Sequence, residues 1–140
     1  MFGNRKKAVD GVEKLSGVPF FEGFSADELQ RVAGLADDVD AEKGAVLVEQ
    51  GRVGQECYVI LEGQAGVYVG GEHVATSSPG SMVGEMALLE HKPRNATVVA
   101  DTPMKLIVFD NLAFKKLLEE MPKVHDRVME TLAARLRQSS

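Results

Sequence analysis

Two neighbouring stretches carry the residue types that could bind a phosphate. The first is Gly84-Glu85-Met86-Ala87-Leu88-Leu89, and the second is Pro93-Arg94-Asn95-Ala96-Thr97. Met86, Ala87, Leu88 and Leu89 are good helix formers, so the first stretch reads as one or two helical turns behind a permissive glycine. The opening N–H groups of such a turn lack an internal partner and lie at the positive end of the helix dipole. That arrangement receives anions, phosphate above all. Arg94 follows across a loop punctuated by Pro93. Its planar guanidinium can grip a phosphate through two parallel hydrogen bonds. A phosphate repels Glu85, so this carboxylate fits only if it accepts a hydrogen bond from a neutral hydroxyl of the same ligand, such as a ribose 2′-OH. Together these groups point to a sugar phosphate.

The composition limits the partners. A chain of 140 residues suits one domain with its own core. With 16 basic and 21 acidic residues the formal charge is −5, which argues against nucleic acid or an anionic membrane as the main partner. An anionic ligand must then be held by local donors. Cys57 is the single cysteine, so an inert buried thiol is expected rather than a disulfide framework or a thiolate zinc site. No apolar run approaches a membrane span and no signal-peptide pattern opens the chain, so a soluble cytoplasmic protein is expected.

The elements that must position these residues follow from periodicity. The spacing predicts a helix over 4–16, with Ala8, Val9, Val12 and Leu15 on its apolar face. Phe20, Phe21 and Phe24 lie among the breakers Gly17, Pro19 and Gly23, and are expected to dock on the core. Ser25-Ala26-Asp27-Glu28 is a capping-box start for a helix that buries Leu29, Val32, Ala33 and Ala36. Strand-like segments follow at 46–48, 57–61, 67–69, 73–75, 96–100 and 105–109, separated by glycine turns. Short strands at this spacing indicate a small β-roll or barrel. Asp110 is an expected N-cap, with Leu112, Phe114, Leu117 and Leu118 buried behind it. Pro122 opens a last helix striped by Val124, Val128, Leu132 and Leu136. The predicted class is α+β. An antiparallel, jelly-roll-like β-roll over 38–109 is flanked by N-terminal helices within 4–36 and two C-terminal helices within 110–138, as one domain over 1–140.

The two phosphate-type stretches, continued through Val98-Val99-Ala100, closely resemble the phosphate-binding cassette of cyclic nucleotide-binding domains. These are the modules of protein kinase A regulatory subunits, cyclic nucleotide-gated channels and the catabolite activator protein. A second pattern of that family, Gln-Gly-x-x-Gly then Tyr-x-Ile-Leu-x-Gly, is met by Gln50, Gly51, Gly54, Tyr58, Ile60, Leu61 and Gly63. The resemblance runs from Pro19 to Ser140. It implies a β-roll flanked by helices, with cAMP or cGMP as ligand; no cofactor, metal or catalysis is expected. The implied ligand residues are Val83, Gly84, Glu85, Met86 and Ala87 from the first stretch, with Arg94, Asn95 and Ala96 from the second. It also implies that the C-terminal helix folds over the base as a lid. Leu132 or Leu136 would pack on the base, or Arg135 stack over it. Permanent docking of that helix is the alternative. Three departures are evident. Val83 stands where an aromatic is frequent, Ser77-Ser78-Pro79-Gly80-Ser81 replaces Leu-Gly-Pro-Gly-Asp, and Asn95 follows the arginine. Alanine there goes with cAMP and threonine can favour cGMP; asparagine offers both donor and acceptor, and the reading leans to cAMP.

Other functions are weaker. The histidines are His73, His91 and His125, and the pair His125-Asp126 resembles the metal-binding pair of some phosphohydrolases. Such sites need further ligands at helical spacing, no histidine or cysteine stands near His125, and no Ser/His/Asp order or Walker loop occurs. A phosphodiesterase is therefore disfavoured. A protein-interaction domain that kept the fold and lost the ligand is the alternative from another class. Ending at Ser140, the chain leaves no room for a helix-turn-helix, so the expectation is a stand-alone sensor. It would act as a monomer or weak homodimer on a protein partner that the sequence does not identify.

Overall fold

The computed structural model describes residues 3–7, 13–84 and 93–139. Strands β1 (Gly3–Lys7), β2 (Asp37–Ala41), β3 (Val46–Val48), β4 (Glu56–Glu62), β5 (Ala65–Val69), β6 (Glu72–Ser77), β7 (Met82–Val83), β8 (Thr97–Ala100) and β9 (Met104–Asp110) form two antiparallel sheets. One has the order β1-β2-β9-β4-β7 and the other β3-β8-β5-β6. The helices are α1 (Glu13–Ser16), α2 (Ala26–Leu35), α3 (Asn111–Glu120) and α4 (Pro122–Ser139), with a 3-10 turn at Pro19–Phe21. This is the predicted β-roll with flanking helices.

The central strands β4 and β9 are apolar at nearly every position because both of their faces are covered. Tyr58, Ile60, Leu106 and Val108 face the second sheet, where Leu47, Val98 and Ala100 meet them. Cys57, Val59, Ile107 and Phe109 face the helices, against Leu29, Val32, Phe114 and Leu117. Phe20, Phe21 and Phe24 join this outer core, their rings meeting edge-on at centroid separations of 5.2 and 5.5 Å. Both expected caps form. Ser25 and Glu28 exchange side-chain and backbone bonds at the start of α2, and Asp110 Oδ1 accepts from the Ala113 N–H at 2.8 Å. Gly70 and Gly71, at φ of 59° and 84°, make the tight β5–β6 hairpin.

The N-terminal helix expected over 4–16 is corrected. Residues 3–7 form an edge strand and Glu13–Ser16 the helix α1, while Ala8, Val9 and Val12 lie outside the described residues. In the β1–β2 register Lys6 stands opposite Asp38 and Lys7 opposite Asp37. The strand is set by its pairing with a segment far along the chain, a tertiary effect that local periodicity does not carry. Leu112 is also corrected: expected in the core, it is exposed, while Leu118 is partly buried.

Candidate functional site

Strand β7 ends at Val83, whose side chain is buried in the roll interior and whose backbone pairs with Tyr58. Gly84 then turns the chain at φ 90°, a conformation that favours glycine. Glu85, Met86, Ala87 and His91 lie outside the described residues. The chain re-enters at Pro93, which bridges to Val53. Arg94 is tied to the same turn through its main chain: its N–H donates to the Arg52 carbonyl at 2.7 Å, and its carbonyl accepts from Gly51 at 2.8 Å. Asn95 is exposed and Ala96 half-buried, before β8 starts at Thr97. Thr97 Oγ1 accepts from the Gln50 N–H at 3.0 Å, which fastens β8 to the same turn.

Arg94 is the buried charged residue among those described, with 8% of its surface exposed. A buried cation must be compensated by hydrogen bonds. Its Nη1 donates to the Gly84 carbonyl and its Nη2 to the Glu56 carbonyl, both at 2.5 Å. The two ends of the proposed cassette, ten residues apart, are therefore joined directly by the arginine side chain. The guanidinium lies against two glycines, Gly54 and Gly84. It also forms part of the wall of an open cavity of about 550 Å³, lined among others by Val48, Arg52, Glu56 and Tyr58, within the size range of small-ligand sites. A larger cleft of about 580 Å³, at the end of β2 and the start of β9, shares no residue with it. Sequence reasoning gave Gly54 a place in the Gln-Gly-x-x-Gly pattern but no contact with Arg94, and missed the Glu56 carbonyl as a partner of Arg94.

Val124 and Val128 are buried in the outer core. The side chains of Leu132, Arg135 and Leu136 lie outside the described residues, although their backbone is helical. Two basic side chains fix the front of α4. Lys123 Nζ donates to the Gly23 carbonyl at 3.0 Å and to Glu28 Oε1 at 2.8 Å. Arg127 donates to the carbonyls of Pro19 and Glu22 at 3.1 and 2.6 Å. Bonding to Lys123, and then to the Ser25 N–H, holds the Glu28 carboxyl below its ordinary range.

The enzyme-like pair is a helix-surface contact, with His125 Nδ1 and Asp126 Oδ1 3.7 Å apart and both side chains exposed. His73 lies edge-on to Tyr68, near Thr76 Oγ1. Among the described residues no group of three His, Cys, Asp or Glu could hold a metal, and no helix is long and apolar enough to cross a membrane.

Comparison with known proteins agrees with the fold. A family model described as cyclic nucleotide-binding domain matches residues 38–121. A cAMP-dependent protein kinase regulatory subunit from Schizosaccharomyces pombe is 35% identical over 105 residues, covering 74% of this chain and 26% of its own. The chain thus spans about a quarter of the length of that relative. Among solved structures, the catabolite activator protein of Thermus thermophilus superposes with a TM-score of 0.79 at 27% identity, covering 86% of this chain and 59% of its own. A cAMP-binding acyltransferase from Mycobacterium smegmatis does so with a TM-score of 0.76 at 31% identity, covering 91% and 41%. The last shows that domains of this kind also occur within enzymes. By the extent of the family match and its agreement with the β-roll, this chain belongs to the cyclic nucleotide-binding domain family.

Proposed function

We propose that this chain is a regulatory module that binds a cyclic nucleotide, cAMP in preference to cGMP. Arg94 takes the cyclic phosphate, helped by the backbone amides of the stretch from Gly84 to Ala87. Glu85 accepts from the ribose 2′-OH. The observation that carries the reading is the Arg94 guanidinium, buried and bonded to Gly84 at the mouth of the proposed cassette. A cation already desolvated and oriented binds an anion without a further ordering cost. The similarity to a regulatory subunit named cAMP-dependent, and to an acyltransferase named cAMP-binding, supports the choice of base. The output is a change at the C-terminal helix, read by a protein partner.

One observation favours a second reading. The bonds from Arg94 to two main-chain carbonyls would give it a structural role without any ligand, as in a domain that keeps the fold only to bind proteins. Titration with cAMP and with cGMP separates the two. Saturable one-site binding, tighter for cAMP, is expected; absence of binding by both would leave the interaction domain.

A further inference from the structure

We propose that Gly54 is a positioning residue for ligand binding: its missing side chain is the slot that aims the Arg94 guanidinium. This rests on the reading of Arg94 as the phosphate ligand. Gly54 is buried, and a Cβ built there would meet Arg94 Nη2 at 2.5 Å, with Cζ and Nε closer still. Real Cβ atoms essentially never come within 3.0 Å of another heavy atom.

Conformation does not explain this glycine. Gly84, on the same guanidinium, has φ +90° and is favoured by its backbone alone. So is Gly51, at φ +88°, where an added Cβ would meet nothing. Gly54 lies outside that left-handed range, so other residues could adopt its backbone. The Gln50-Gly51-x-x-Gly54 pattern therefore divides into one glycine for the turn and one for the arginine.

The obstructed group cannot swing aside cheaply. Nη1 and Nη2 are bonded to the carbonyls of Gly84 and Glu56, and the Arg94 main chain is tied to Gly51 and Arg52. A methyl at position 54 must push the guanidinium off those carbonyls and turn its plane. Two-pronged recognition of a phosphate depends on that plane, so a displacement of about 1 Å is enough to spoil it.

A double-mutant cycle tests this, with Gly54→Ala, Arg94→Ala and the double variant titrated with cAMP and melted without ligand. Gly54→Ala alone should weaken binding about tenfold or more and lower the Tm. In the Arg94→Ala background the same change should cost nothing further in affinity, and its Tm penalty should vanish because the obstructed group is gone. If Gly54→Ala alone does not fold, recovery of the fold in the double variant carries the same conclusion. Equal losses of affinity and Tm in both backgrounds would overturn the slot while leaving Arg94 as the phosphate ligand. Unchanged affinity in Arg94→Ala itself would overturn the phosphate reading, and the slot with it.

Discussion

Arg94 and Glu85 divide the proposed recognition between phosphate and ribose. If Glu85 accepts from the 2′-OH, 2′-deoxy-cAMP should bind the native chain worse than cAMP by about 1.5–3 kcal/mol, the worth of a hydrogen bond to a charged group. Glu85→Gln should bind both nucleotides with nearly equal affinity. Calorimetry that finds the same penalty for the deoxy ligand in both proteins would show that Glu85 does not touch that hydroxyl. Arg94 stood out in the sequence because its neighbours form a spaced motif, in a chain of net charge −5 where an anion must be held by local donors. What surrounds it was not. Gly54 stands forty positions earlier, and no local pattern says that its hydrogen faces a guanidinium. Glu56 contributes its carbonyl, which any residue type would supply.

At the scale of elements, capping chemistry and strand composition were readable wherever the local signal and the tertiary demand agreed. Ser25 and Asp110 cap as their types dictate, and β4 and β9 announce burial on both faces through unbroken apolar runs. The N-terminal strand was hidden because its partner β2 lies thirty residues away, and Arg5-Lys6-Lys7 is as compatible with helix as with a strand beside Asp37 and Asp38. The contact between α2 and α4 is likewise long-range, and it has a pH signature. Lys123 and then Ser25 lower the folded-state pKa of Glu28. A lowered carboxylate pKa contributes stability that is present above the unfolded value and lost as pH falls through the folded one. The Tm of the native chain should therefore drop on acidification across and below the ordinary glutamate range. Lys123→Ala should lower the Tm at neutral pH and flatten part of that acid-side drop. An identical acid-side slope in both proteins would mean that the pair contributes nothing.

For the molecule as a whole, the 3-10 turn joins the approach to β7 with α4. Pro19 packs against Gly80, two residues before β7, and the Pro19 carbonyl accepts from Arg127 of α4. Proximity alone is not coupling, so the helix needs its own measurement. The first turns of α4 belong to the core through Val124 and Val128, which leaves the part beyond Glu130 as the candidate lid. Deleting residues 131–140 should spare the fold and the association rate but speed cAMP dissociation. Amide exchange over 131–138 in the full chain should slow when ligand is added. An unchanged off-rate together with unchanged exchange would make the helix purely structural. The central claim, that a buried arginine holds a cyclic phosphate, is tested most directly by calorimetric titration of cAMP into native and Arg94→Ala protein, with the melting curve as a check on folding. Binding should weaken by about 1.5–3 kcal/mol or more in Arg94→Ala, with Arg94→Lys recovering only part because the fork geometry is lost. Equal affinity of the native and Arg94→Ala proteins for cAMP would contradict the account.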